Sequence, residues 1–505
     1  MHISLLAGII LYILRKISYN IRINYLIVII FLTFYLYLTD FSPSILRTVI
    51  MYIIIAINKS YNLEIKNIDI ILLVLIIIIV IDHFYLYNIG FQYSYLISFT
   101  LILFNKKISN INGKIMKSIY ISYLCFIVSF PISIYNFYQV NFLSVLINII
   151  LIPVVSFIIY PLSLITFIIP KISILYIVII SILEYINKTI SNITILQVIF
   201  NKPTILLILI YYILIYLSII NKKYLIILIC IITLSKINNR FNNELLLTSI
   251  DVGQGDSIFI KLPNNKSNIL IDTGGTIKYS KEEWMKQKEE YSIVKNKTIT
   301  YLKSLNISKI NYLILTHGDY DHMGEAINLV NNFKVEKVIF NCGEYNDLEK
   351  ELIRVLNKKK IKYYSCIKEL KIDKNKLYFL QTKEYDNEND NSNVIYTELN
   401  GYKFMFMGDA SSTTEREILD KYNLPNIDVL KVGHHGSKTS SSMEFINEIN
   451  PKYSIISVGK NNRYGHPNKE TLDNLKFSKI YRTDRDGSIM FKIKNNKLKI
   501  KTCSP

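Results

Sequence analysis

Cysteine is scarce and without pattern. The five cysteines (Cys125, Cys230, Cys342, Cys366, Cys503) form no CxxC pair and no even ladder, which supports neither a zinc ribbon nor a disulfide framework. Cys125 and Cys230 lie within apolar runs and read as small core residues. Acidic residues are also short, with 39 Asp and Glu against 58 Lys and Arg, a formal net charge of +19. That sign suits a nucleic-acid or anionic-membrane partner. The blander reading is preferred: Lys-, Ile- and Asn-rich usage follows genome base composition, and some cations flank membrane spans. Of only seven histidines, His2 and His83 alone lie in the N-terminal half. No cleavable signal peptide opens the chain, because Met1–Leu14 is apolar with no preceding basic region.

Apolar residues are what the chain has in excess. A 51% hydrophobic content and a mean hydropathy of +0.28 over 505 residues are too apolar for a fully soluble protein and too long for one ordinary domain. Ile, Leu, Tyr and Phe saturate residues 1–235, and Asp, Glu, Asn and Lys become frequent only afterwards. This predicts a polytopic membrane domain over 1–235, a polar linker over 236–243 and a soluble domain over 244–505. Apolar runs at Asn24–Leu38, Ile68–Ile81, Tyr93–Phe104, Ile119–Ile134, Phe142–Ile169, Ile172–Leu183, Thr204–Ile220 and Lys223–Leu234 give about eight spans. Pro131, Pro153, Pro161 and Pro170 are expected to interrupt or end them. Arg47 and Asp82 are the channel candidates, since an intramembrane charge usually faces a cavity or a partner.

The soluble part alternates short β-rich runs with helical ones. Strands are expected at Glu244–Ile250, Ser257–Leu262, Ile269–Ile271, Tyr312–Leu315, Val338–Phe340, Val394–Leu399, Phe404–Phe406, Val429–Val432 and Tyr453–Ser457. Helices are expected at Trp284–Leu305, Gly324–Asn331, Asp347–Lys358, Ser412–Lys421 and Ser442–Ile449. Such alternation suits a layered α/β domain with its chemistry on the loops at strand ends.

The strand Tyr312–Thr316 empties into His317-Gly318-Asp319-Tyr320-Asp321-His322, four candidate ligands that can converge on a small volume. Imidazole and carboxylate are ligands for zinc or manganese, and a mixed set leaves a position for water. Three further strands lead to Gly408-Asp409, to Gly433-His434-His435-Gly436-Ser437 and to Tyr464-Gly465-His466-Pro467. Each alone is as compatible with a plain turn; their joint order is specific.

This order resembles the metallo-β-lactamase superfamily. The resemblance implies an αββα fold and, for Asp272 in Leu270-Ile271-Asp272-Thr273-Gly274-Gly275, a supporting role behind the metal ligands. The superfamily's run has histidine where Asp319 stands, and its next separate histidine is absent, with Asn391 or Ser392 as stand-ins. Those departures, with Ser249-Ile250-Asp251-Val252-Gly253-Gln254-Gly255-Asp256-Ser257, His434-His435-Gly436-Ser437 and Gly465-His466-Pro467, are similar to the ComEC/Rec2 family of competence proteins. Ser42-Pro43-Ser44-Ile45-Leu46-Arg47 and Gly90-Phe91-Gln92-Tyr93-Ser94 resemble that family's membrane signatures.

The resemblance implies a multi-pass protein of the cell membrane that passes single-stranded DNA through a channel in natural transformation. Its hydrolase domain would degrade the non-transported strand, and DNA-receptor and ATPase proteins of the uptake machinery would be its partners. Members normally carry a soluble N-terminal domain and further first spans, so a misassigned start, a split protein or a reduced form is expected here. Two divalent ions, Zn²⁺ or Mn²⁺, are implied: His317 and Asp319 hold one, Asp321 and His322 the other, Asp409 bridges, and His434 or His466 completes the second site. Asp321 also counts among the catalytic candidates, and His435, Ser437 or His466 would orient the scissile phosphate or protonate the leaving oxygen. Lys431, Lys438, Lys460 and Arg463 are candidates for neighbouring phosphates, or solvated surface charges. Two rival readings stand beside this: a membrane-anchored hydrolase of a small ester, lactone or lactam, and an inactive truncated translocon fragment.

Overall fold

The computed structural model describes residues 2–17, 20–191, 196–237, 242–275, 291–380 and 384–503. The chain divides into two compact units, Met1–Ile232 and Thr233–Pro505.

The first unit is helical. Among the described residues, five helices are long and apolar enough to cross a bilayer: Ile21–Leu38, Pro43–Tyr61, Lys114–Asn136, Ser144–Ile168 and Pro170–Ile190. Asn67–Ile81, Ile89–Leu103 and Ile205–Ile220 are apolar but shorter, so four of the eight expected runs fall in helices of full length and Pro43–Tyr61 is a fifth that was not expected. Pro43–Tyr61 is missing from the apolar runs named above because Arg47, Thr48, Asn58, Lys59 and Ser60 break its hydropathy. Three prolines do not act as expected. Pro131 and Pro153 lie inside continuous helices, and a π turn at Val155–Ile159 carries the chain from Pro153 to Pro161 without a break.

Val28, Leu32, Ile70, Ile71 and Val74 are buried at the centre, while Val80 and Phe167 are 80% and 89% exposed. That outward apolar surface is what contact with lipid requires. Cys230 is exposed and not a core residue. Arg47 is buried, and its Nε donates to Ser94 Oγ at 2.8 Å, joining the two membrane signatures. Asp82 stands at a helix junction, where its carboxylate accepts from the Phe84 amide at 2.8 Å. Two short strands, β1 (Gln139–Asn141) and β2 (Gln197–Ile199), pair antiparallel.

The second unit is a four-layer αββα sandwich. Its first sheet contains β3 (Leu245–Ser249), β4 (Ile258–Lys261), β5 (Asn268–Ile271), β6 (Lys309–Ile314), β7 (Lys334–Phe340) and β8 (Lys362–Ser365). The second contains β9 (Glu369–Ile372), β10 (Asn375–Phe379), β11 (Ile395–Leu399), β12 (Tyr402–Phe406), β13 (Val429–Lys431), β14 (Tyr453–Ile456) and β15 (Lys479–Arg482). The last strands, β16 (Ser488–Lys494) and β17 (Lys497–Cys503), return to the first sheet, whose order is β17-β16-β3-β4-β5-β6-β7-β8. The second sheet runs β15-β14-β13-β12-β11-β10-β9.

Strand alternation builds the layers. Leu245, Leu247, Ile258, Ile260, Phe404, Phe406 and Val429 fill the space between the sheets. Their neighbours point the other way: Leu246 and Phe259 join the core that holds Leu302, Leu352 and Leu356, with Phe259 edge-on to Tyr301, and Met405 and Leu430 pack among Ile418 and Phe445 of the opposite helical layer. A strand buried on both faces reads as an unbroken apolar run, which is why these strands are legible. Strands β8, β9, β10, β15, β16 and β17 are missing from the expectation; lysines punctuate them. The first part of the expected helix Trp284–Leu305 and residues 238–241 of the expected linker lie outside the described residues. Cys342 and Cys366, at the ends of parallel neighbours β7 and β8, form a disulfide, a single bridge that the spacing of the five cysteines did not support.

Strands β5, β6 and β7 are parallel, as are β12 through β15, so both sheets present carboxyl ends along one edge. Phe404, fully buried between the sheets, tests this packing. Phe404→Ala is expected to destabilise the hydrolase unit by about 3–5 kcal/mol. Thermal unfolding of the detergent-solubilised chain, followed by strand circular dichroism, checks it; an unchanged midpoint contradicts it.

Candidate metal centre

Asp272 follows β5, and its positive φ of 58° turns the carboxylate back under the next strand end. Oδ1 accepts from the Thr316 amide at 2.8 Å and Oδ2 from the Thr316 hydroxyl at 2.6 Å. Oδ2 also lies 2.8 Å from His322 Nδ1, so the buried carboxylate fixes that ring with Nε2 pointing outward from it. The metal run is clamped from other sides. Gly318 donates its amide to Glu388 Oε1 at 2.6 Å, and Asn346 donates to the Gly318 carbonyl at 2.9 Å. A Cβ on Gly255 would lie 2.1 Å from the Asp321 carbonyl, so glycine is required there, and one on Gly318, 2.1 Å from Asn346 Nδ2, would push that amide off the Gly318 carbonyl.

At the carboxyl ends of the two sheets, ligand atoms of Asp321, His322, Asp409 and His435 all lie within 4.8 Å of one another. His435 Nε2 is 3.0 Å from Asp321 Oδ2 and 3.5 Å from Asp409 Oδ2; His322 Nε2 is 3.1 Å from Asp409 Oδ1. His317, beside His322 with ring centroids 4.1 Å apart, extends the cluster. Its Nδ1 meets Thr316 Oγ1 at 3.1 Å and Ser392 Oγ at 3.3 Å. Nε2 of His317 is buried without a hydrogen-bond partner, and Nε2 of His322 and Oδ1 of Asp409 are buried with no partner besides each other. Buried polar atoms left unpaired are rare and costly, and their convergence fits a divalent cation.

The structure separates the neighbouring histidines. His434 and His435 both have positive φ, 45° and 54°, so consecutive rings diverge: His435 turns inward and is 2% exposed, whereas His434 lies at the rim, 3.8 Å from Asp409 Oδ2. Asp319 is also at the rim, 3.6 Å from His317 Nε2 with its side chain 49% exposed. His466 packs 5.9 Å from His434 and stacks on Tyr464. Ser437 Oγ is engaged with Thr439 Oγ1 at 3.0 Å. Asn391 does not face the cluster: its amide is tied to the Tyr385 backbone N–H and carbonyl at 2.8 and 2.6 Å, and Ser392 is the residue beside His317. Lys431 is fully buried against Asp256 at 2.5 Å, which withdraws it from any phosphate. Lys438, Lys460 and Arg463 remain exposed. Thr316, Asn346, Glu388 and Asp256 were not marked as site residues in the sequence; Asp256 and Thr316 lay inside quoted runs, whereas Asn346 and Glu388 carried no signal.

The charges show a site built for a cation. Burial works to raise the Asp321 carboxyl, but the hydrogen bond from His435 and the nearby His322 ring bring it down to about 2. Burial likewise opposes ionisation of Asp409, and the His435 and His322 rings overcome it and hold the carboxyl well below its usual range. Conversely, burial pushes His322 and His435 down, while Asp409 beside both outweighs it and raises them, strongly for His322. His434 and His466 are lowered, first by burial.

Imidazoles raised in this way bind protons more tightly, and a metal must displace any proton held on the nitrogen it takes. Metal uptake is therefore expected to release protons, with affinity weakening as pH falls by about tenfold per unit for each proton displaced. Calorimetry in buffers of different ionisation enthalpy measures the release; uptake without it contradicts the electrostatics described.

Comparison with known proteins accounts for both units. Residues 1–223 match the family model described as Competence protein, and residues 250–460 that of the Metallo-beta-lactamase superfamily. The chain is 30% identical to ComE operon protein 3 of Bacillus subtilis over 521 aligned positions, covering 98% of this chain and 67% of that protein. It is 28% identical to Competence protein ComA of Neisseria gonorrhoeae over 49% of this chain and 32% of that protein. With Recombination protein 2 of Haemophilus influenzae it shares 27% identity over 45% of this chain and 26% of that protein. The solved metallo-beta-lactamase fold protein YhfI from Bacillus subtilis aligns with 49% of this chain and all of its own, at 11% identity and a TM-score of 0.33. A membrane-helical unit matching the competence model, a metallo-β-lactamase unit carrying its clustered ligands, and similarity across 98% of the length together place this chain in the ComEC/Rec2 family of competence proteins.

Proposed function

We propose that this chain acts at the cell membrane in DNA uptake, with a hydrolase unit that is a metal-dependent phosphodiesterase acting on the strand not transported. The supporting observation is the buried convergence of Asp321, His322, Asp409 and His435 at the sheet ends of a competence-family chain. These residues would hold one ion, and His317 with Asp319 and a shared Asp409 a second, an oxygen-rich set that accepts manganese as readily as zinc. Bound divalent ions would supply a water acidified toward neutrality and positive charge opposite the phosphodiester oxygens.

The chain's own residues supply orientation. Asp272 holds His322 in one tautomer through Nδ1, and the Ser457 carbonyl at 2.9 Å does the same for His435. His434 and His466, neutral at pH 7 because burial lowers them, stand at the rim where a phosphate oxygen or the leaving 3′-oxygen would lie. This replaces His435 and Ser437 in the phosphate-facing role, since both are engaged within the fold. The exposed Lys438, Lys460 and Arg463 suit flanking phosphates. In the membrane unit, the buried Arg47–Ser94 contact marks the candidate path for a single strand.

The full chain in detergent, supplied with Mn²⁺ or Zn²⁺, is expected to cleave DNA, and Asp409→Ala to slow cleavage by at least about 100-fold. Unaltered cleavage in that variant, or turnover of model esters but not of DNA, refutes the assignment. Arg47→Leu is expected to abolish entry of labelled DNA into transformable cells while leaving cleavage by the purified chain intact; normal entry excludes Arg47 from the path.

A further inference from the structure

Lys431 ends β13, and nothing in an inner strand calls for a lysine there. Its side chain has no exposure; the ammonium lies 2.5 Å from Asp256 Oδ2 and donates to the Val432 carbonyl at 2.9 Å. Asp256 is 2% exposed, and its other oxygen, Oδ1, has no hydrogen-bond partner and sits 3.6 Å from His435 Nδ1. The backbone of Asp256 also meets the metal run, its amide donating to the Asp321 carbonyl at 3.3 Å. On its far side, carboxylate atoms of Asp256 and Asp272 lie within 4.8 Å of each other and of a His322 ring nitrogen. Asp256 thus stands between two ligand-bearing imidazoles without being in the cluster.

A buried ion pair gives little net stability compared with apolar residues of similar volume, so its position calls for another account. We infer that Lys431 is a positioning residue of the metal centre: it pins Asp256 as a fixed negative charge against the Nδ1 edge of His435. Held there, the carboxylate makes His435 a more basic ligand while the Ser457 carbonyl keeps the Nδ1 proton, leaving the Nε2 lone pair toward Asp321 and Asp409. The same ammonium keeps Asp256 from swinging toward the cluster and joining the ligand set. This inference rests on reading the cluster as a metal site.

The test is Co²⁺ titration of the full chain in detergent, read by visible ligand-field absorption, with thermal unfolding in parallel. The wild-type chain tests the metal reading itself, and a wild type that binds no Co²⁺ overturns both. With wild-type binding present, Asp256→Asn is expected to bind Co²⁺ about 10-fold more weakly with altered band intensities, and Lys431→Met about 10–100-fold more weakly. The double variant Lys431→Met with Asp256→Asn is expected to recover to the level of Asp256→Asn alone, because no uncompensated charge remains. Wild-type affinity and band shape in Asp256→Asn overturn the inference whatever Lys431→Met does, even where the melting temperature falls, since the pair is then structural. Asp256→Asn decides the matter equally if Lys431→Met does not fold.

Discussion

The buried carboxylate of Asp272 is the contact on which the site depends. It joins the end of β5 to Thr316 just past β6 and to the ring of His322, so three chain segments share one anionic anchor. Remove that side chain and the buried Thr316 amide loses its acceptor, while the Thr316 hydroxyl and His322 Nδ1 keep only each other and the His317 ring. The clustered ligands inherit their geometry from this anchor. His322 is aimed by it directly, and Asp409 and His435 then meet His322 from the other sheet.

Much of this was legible in the sequence for a physical reason. Inner strands of a sandwich are apolar on both faces, so Tyr312–Leu315, Phe404–Phe406 and Val429–Val432 stand out as runs, and a polar residue just after each marks a strand end. What was not legible turns on backbone conformation and long-range pairing. Which of His434 and His435 points inward is decided by two consecutive left-handed residues, which no spacing rule reports. Asn391 and Ser392 are adjacent in sequence, yet the Tyr385 backbone captures the first and leaves the second beside His317. Lys431 looked like a surface cation because lysine usually is one; its partner lies far away in sequence, at Asp256.

The membrane unit follows a different logic, with polar residues sparse and therefore informative. Arg47 and Ser94, each within a short signature, meet in the folded unit, so the signatures describe one contact and not two separate features. Asp82 is explained locally as a cap between helices. The helices run through Pro131 and Pro153, with a π turn following the second, a tolerance that is common where helices pack in apolar surroundings.

The return of β16 to pair with β3 has a consequence for how the protein is made. The first strand of the hydrolase unit, Leu245–Ser249, gains its outer neighbour only from Ser488–Lys494, close to the end of the chain. During synthesis that edge of the sheet stays open until Ser488–Lys494 has left the ribosome, a period in which an apolar strand can pair with the wrong partner. The ligands at Asp321 and His435 are complete long before that strand arrives. The candidate ligands can thus all be present before the sheet closes, so the site's residues do not wait on the strand that completes their scaffold.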